Sequence, residues 1–113
     1  MRIDDYSFGR IVINGTTYTT DVIIYPGRVD GSWWRKEGHL LRIEDLADVL
    51  HAKPELLIIG TGYAGIMRVP RETVERIAAL GIEMSVERTS KAVLVYNDRE
   101  RSRTVIAALH ITC

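Results

Sequence analysis

The chain has 113 residues, 15 Lys and Arg against 15 Asp and Glu, and one cysteine, Cys113. That length suits one domain over residues 1–113 with a real apolar core, and the level charge supplies no whole-molecule field to recruit nucleic acid or an anionic membrane. The lone cysteine excludes an internal disulfide framework, and Met1-Arg2-Ile3-Asp4-Asp5 lacks the apolar core of a signal peptide, so the expectation is a soluble, cytoplasmic protein.

From Tyr6 to Ile24 the composition is β-branched and aromatic, and Asn14-Gly15 between Arg10-Ile11-Val12-Ile13 and Thr16-Thr17-Tyr18 predicts an opening β-hairpin. Val22-Ile23-Ile24-Tyr25 continues extended until Pro26-Gly27, and Asp30-Gly31-Ser32 marks a further turn before a polar loop with two tryptophans. Ile43, Leu46, Ala47 and Leu50 recur at helical spacing among Glu44, Asp45 and Asp48, predicting an amphipathic helix to about Ala52 and Lys53.

Leu56-Leu57-Ile58-Ile59, between Pro54 and Gly60, reads as a fully buried central strand. Pro70 suits the start of a second helix with Val74, Ile77 and Ala78 on its inner face, and Leu80-Gly81 its end, with glycine free to adopt the left-handed conformation. Ile82 to Val86 alternates apolar and polar residues, as expected of a strand nearer a sheet edge; Thr89-Ser90 caps a third helix to about Arg99; Thr104 to Ile111 closes the chain as a strand. Together these predict an α/β fold, a hairpin followed by a mixed sheet covered by helices.

The hairpin, Trp34, the strand ending in Gly60-Thr61-Gly62, and the pattern Thr89, Ala92, Asn97 followed by Val105, Ala107, Ala108 and Leu109 resemble one family of small domains. It was long classed as of unknown function and includes an adipogenesis-associated human protein and a mitochondrial complex I assembly factor. The resemblance covers nearly the whole chain, and Ala108 to Cys113 is similar to the archaeal or bacterial branch. It implies a three-layer fold with a mixed central sheet and attaches no reaction. The segment Asn97 to Val105, with Arg99, Arg101 and Arg103, departs from the more apolar family pattern and is shorter.

Three constellations carry chemistry. Gly60, Gly62 and Gly65 have G-x-G-x-x-G spacing, which suits a dinucleotide, an anion held by loop amides, or a tight turn packing strand against helix. A dinucleotide fingerprint opens a helix within the glycine turn, whereas the helix start here is Pro70, and Glu83 and Glu87 are commonplace acids at the ribose-binding distance. In Trp33-Trp34-Arg35-Lys36 with His39, neighbouring residues of an extended segment face opposite ways, so one tryptophan enters the core and the other covers a rim or anchors a partner. His110 and Cys113, three apart in a strand, diverge and find no further ligands, so no metal is expected, nor a cofactor. The arginines near Arg101 read as a solvated loop rather than a nucleic-acid stripe.

The reading that results is a non-enzymatic binding or assembly module with a glycine-loop pocket that meets a protein partner or small polar ligand. Its expected ligand-binding residues are Gly60, Thr61, Gly62, Trp34, His39, Thr89 and Asn97. The alternative is a small enzyme in which Thr61, His39 or Asn97 acts on a polar or anionic molecule at the loop. An unpaired edge at Ile82 to Val86 or the hairpin predicts a weak homodimer.

Overall fold

The computed structural model describes residues 1–113. It opens as three antiparallel strands, β1 (Ile3–Ser7), β2 (Arg10–Ile13) and β3 (Thr16–Tyr18), which form a sheet of their own. The turn from β2 to β3 takes Asn14 and Gly15 to φ of 47° and 78°, the paired left-handed residues of the expected hairpin. The opening is therefore one strand longer than the predicted hairpin. Two aspartates in Ile3-Asp4-Asp5-Tyr6-Ser7 hide β1, whose register with β2 slips between Ile3 and Asp5.

The second sheet has the order β5-β4-β8-β6-β7, from β4 (Val22–Tyr25), β5 (Arg28–Asp30), β6 (Leu56–Thr61), β7 (Glu83–Glu87) and β8 (Val105–His110). β6 runs parallel to β7 and β8, and β4 runs antiparallel to β8 and β5, so the sheet is mixed and β7 lies at its edge. A 3-10 turn at Ile43–Leu46 leads into α1 (Ala47–Ala52), where one continuous helix was expected. α2 (Arg71–Ala79) follows Pro70, which flanks the helix in extended conformation, and α3 spans Thr89–Arg99. Gly81 follows α2 with φ of 79°, the left-handed stop read from the sequence.

Strand parity sorts the core. Val22 and Ile24, Leu56 and Ile58, and Val105, Ala107 and Leu109 pack with Ile3, Ile11 and Ile13 of the first sheet and with Ala92, Val93 and Tyr96 of α3. The alternate residues Ile23 and Tyr25, Leu57 and Ile59, Ile106 and Ala108 pack with Trp33, Val49 of α1 and Ile77 of α2. The unbroken apolar runs of β6 and β8 are thus covered on both sides, as central strands require. The crossover β6-α2-β7 steps outward and β7-α3-β8 steps back across β6. Right-handed crossovers that run in opposite directions put their helices on opposite faces, which is where Ile77 and Val93 lie. The result is three layers, with α1 and α2 below the sheet, α3 and the small sheet above it. No helix is long and apolar enough to cross a membrane.

Candidate functional site

Because α2 and α3 leave the C-terminal ends of β6 and β7 toward opposite faces, a crevice is expected between those ends, the usual ligand position in open α/β sheets. The glycine loop occupies it. Gly60 ends the run of β6 against α3, and a Cβ there would lie 2.7 Å from Thr89 Oγ1 and 2.8 Å from Leu109 Cδ2. Gly62 has φ of 109°, and a Cβ on it would collide with the Cys113 backbone carbonyl and sit 2.9 Å from His110 Cδ2. Both glycines are therefore dictated by close approach, and Gly62 by its backbone conformation as well.

Thr89 joins the loop to the closing strand. Its hydroxyl accepts the Gly62 N–H at 2.9 Å and donates to the His110 carbonyl at 2.6 Å, while its own N–H donates to the Gly62 carbonyl. The next amides are also engaged. Tyr63 N–H donates to the Thr112 carbonyl, Gly65 N–H to Gly62, Ile66 N–H to Cys113 and Met67 N–H to Thr61. The Thr61 hydroxyl donates to the Glu87 carbonyl at 3.1 Å, and the Arg88 guanidinium donates twice to the Tyr63 carbonyl. What the loop turns outward is side chain: Tyr63 and Ile66 are exposed, and Phe8 of the β1-β2 turn meets Tyr63 edge to face at 6.1 Å, with Tyr6 at 6.5 Å. Burial pushes the Tyr6 phenol up to about 12, and its O–H donates to the Ile111 carbonyl.

Beside the loop lies a buried polar network that no sequence motif announced. Asp21, just before β4, takes the Ile111 N–H on Oδ1 at 2.8 Å; its Oδ2 is 2.8 Å from both His110 Nδ1 and Arg35 Nη2. Two donors sharing one carboxylate oxygen place the proton of neutral His110 on Nδ1, since the other tautomer would set two acceptors against each other at that distance. Arg35 also donates to the Gly38 carbonyl and stacks over the Trp33 ring at 4.5 Å. Burial by itself would raise the Asp21 carboxyl, but the hydrogen bonds from His110, the Ile111 amide and Arg35 outweigh it and hold the group below its ordinary value. Arg35 Nη1 and His110 Nε2 are enclosed without a partner.

The expected site residues fall into three places. Gly60, Thr61, Gly62 and Thr89 share the crevice, and exposed His39 reaches it through His110, ring centroids 5.7 Å apart. Asn97 sits at the other end of α3, where its side-chain amide accepts the Ile3 N–H at 2.9 Å and donates to the Ile3 carbonyl at 2.8 Å, standing in for a strand partner at the β1 edge. Trp34 is 75% exposed on a separate cleft lined by Trp33 and α1, while Trp33 is buried with its indole N–H donating to the Asp45 carbonyl. The two tryptophans thus part company as their alternation predicted. Asp21 carried no signal beyond an acid at the mouth of a buried strand. Arg35 and His110 were each visible as members of a short motif, not as partners.

This arrangement defines a class of small three-layer α/β domains whose switch-point crevice is closed by the chain's own glycine loop and last strand. The chain belongs to the family described as "Protein of unknown function (DUF498/DUF598)", whose model matches residues 3–110. Among solved structures, a conserved hypothetical protein from Pyrococcus horikoshii is similar with a TM-score of 0.86 at 25% identity over 100% of both chains. A protein from Bartonella henselae, described as an outer membrane protein, gives 0.81 at 26% identity over 98% of this chain and 94% of that one. A Mth938-like domain from Bordetella pertussis gives 0.67 at 22% identity over 97% and 85%, a likeness of fold alone.

Proposed function

We propose that the domain is a non-enzymatic binding module that meets a protein partner at the face built around the glycine loop. The grouping of Tyr63 with Phe8 and Tyr6 beside exposed Ile66 carries this reading. Aromatic rings fixed on a rigid loop offer apolar area at low entropic cost, which is the composition of interface anchors. Gly60, Thr61, Gly62 and Thr89 serve that face from below by fixing the loop. Because the amides of Gly62, Tyr63, Gly65, Ile66 and Met67 already have protein partners, the support is for side-chain recognition rather than an anion cradle.

The test is affinity purification of the tagged protein from its native lysate, compared with Tyr63→Ala and Phe8→Ser. A protein retained by wild type and lost from both variants, with crosslinks to the loop, is the expected result. If wild type retains nothing that the variants lose, the reading is wrong.

A small enzyme acting on a polar or anionic molecule is a second reading, favoured by one observation. Asp21 orients His110 so that Nε2 is left without a partner, the relation of a carboxylate to a histidine base, with His39 alongside. Thr61 and Asn97 spend their side chains on the Glu87 and Ile3 backbone, which leaves the histidines to carry this reading. Since His110 Nε2 is enclosed, its surroundings have to open before a substrate reaches it. Hydrolysis of a panel of small esters and phosphate esters by wild type but not by folded His110→Gln would favour it, and equal background rates would end it.

A further inference from the structure

The cleft beneath Trp34 is chemically unlike the glycine-loop face. Its volume is about 180 Å³, its floor is Ile23 and Val49, and its walls are Tyr25, Trp33 and Trp34. Four carboxylates, Asp30, Glu44, Asp45 and Asp48, stand around it. None of the four takes part in an ion pair, although the chain has eight of them apart from the Asp21–His110 contact, and a formal charge of zero. Asp45 is held by the backbone amides of Lys36 and Arg42, and Asp30 by Ser32, so the hydrogen bonds to these two come from neutral donors, while the Arg42 guanidinium, paired with Glu37, acts on Glu44 and Asp45 only through space. Glu44 and Asp48 are exposed and make no hydrogen bond. Asp48 is close enough to help burial raise the Tyr25 phenol.

A concave, partly apolar wall with one sign of charge focuses its field outward, and aromatic rings beside carboxylates select cations. The molecule already uses this pairing twice, with the Arg28 guanidinium 3.9 Å over the Tyr25 ring at the cleft rim and Arg35 over Trp33. The ring of Trp34, by contrast, has no cation of the chain on it and is three-quarters exposed.

We propose that this cleft docks a basic segment of a partner protein, one arginine side chain lying along Trp34 with its guanidinium among Glu44, Asp45 and Asp48. Arginine suits the place better than lysine because a planar, weakly hydrated guanidinium can stack on indole while its edge donates to carboxylates. The cleft shares none of its lining residues with the glycine-loop face, so the two surfaces can stand or fall separately.

The experiment is an NMR titration of the ¹⁵N-labelled domain with the blocked peptide Gly-Arg-Gly-Arg-Gly, alongside the same peptide with citrulline for arginine. Citrulline keeps the shape and removes the charge. Saturable shifts confined to Trp34, Glu44, Asp48 and their neighbours are expected. They should weaken about three- to tenfold in Trp34→Ala and again in Asp48→Asn, and fade as salt is raised through the screening range. Tyr63→Ala should leave them unchanged, which separates this site from the loop face. Shifts of equal size with the citrulline peptide, shifts unaffected by Trp34→Ala, or none at millimolar peptide would overturn the proposal.

Discussion

The crevice at the ends of β6 and β7 and the cleft under Trp34 are opposite solutions for polar groups at the surface of one small fold. In the crevice, the amides of Gly62, Tyr63, Gly65, Ile66 and Met67, the Thr89 hydroxyl and the Asp21 carboxylate find protein partners. In the cleft, four carboxylates converge and none is in an ion pair. The first arrangement stabilises, since buried polar groups lower their free energy when bonded and raise it when left alone. The second has little stake in stability, because exposed carboxylates are solvated wherever they stand. The difference teaches where each kind of substitution should register: crevice changes in folding, cleft changes in recognition.

Among changes in the crevice, the largest effect should come from Gly62→Ala. The new methyl would meet the Cys113 carbonyl group and the His110 ring, and the residue would keep a positive φ, so strain and overpacking add to roughly 2–4 kcal/mol. Gly81→Ala is the internal control. It has φ of 79° but open space around its Cβ position, so only the conformational cost of about 1 kcal/mol applies. Urea unfolding of both variants measures the gap. Equal losses would mean that the Cys113 backbone moves aside and that the crevice is looser than the packing around Gly62 indicates.

How much of this was legible in the residues depends on the range of the interactions. The run Leu56 to Ile59 declared a central strand because burial on both faces removes alternation, Thr104 to Ile111 declared a strand without its place in the sheet, and Asn14-Gly15 and Gly81 declared turns because few other residues tolerate their φ. β5 was missed because three residues between two turn signals read as loop, although Val29 pairs with Ile24. The Asp21-Arg35-His110 network was illegible for a different reason. Its members stand 14, 75 and 89 positions apart, and only the sheet order that sets β4 beside β8 brings them together. The glycine triplet was visible, but its spacing alone could not say that the Tyr63 and Ile66 amides between and beyond the glycines are taken by the carbonyls of Thr112 and Cys113.

Asp21→Asn should rank next. Removing the charge while Arg35 stays buried leaves a guanidinium without its counter-ion, at a cost of about 2–4 kcal/mol at neutral pH. The folded-state carboxyl titrates below its unfolded value of about 3.9. Its contribution is therefore complete above that unfolded value and is lost as pH falls through the lower folded one. The stability difference between wild type and Asp21→Asn should be flat from pH 7 to 5 and shrink only below about pH 4. A difference that already shrinks near pH 6 would mean that a group other than Asp21 governs the network.

Trp34→Ala should be the smallest, and it sharpens the comparison most. A buried tryptophan truncated to alanine costs roughly 3–5 kcal/mol, whereas a residue on the surface away from special features changes stability by about 0.5 kcal/mol or less. Trp33 and Trp34 are adjacent and chemically identical, yet one is 8% exposed with its N–H bonded to Asp45 and the other is 75% exposed. Trp33→Ala should therefore unfold at much lower urea concentration while Trp34→Ala tracks wild type. If Trp34→Ala also loses more than about 1 kcal/mol, the indole must pack over Tyr25 and α1 as a lid on the cleft, a role set by folding. If it loses nothing, folding gives no reason for a large apolar ring among four unpaired carboxylates, and recognition is the remaining physical account of why it stands there.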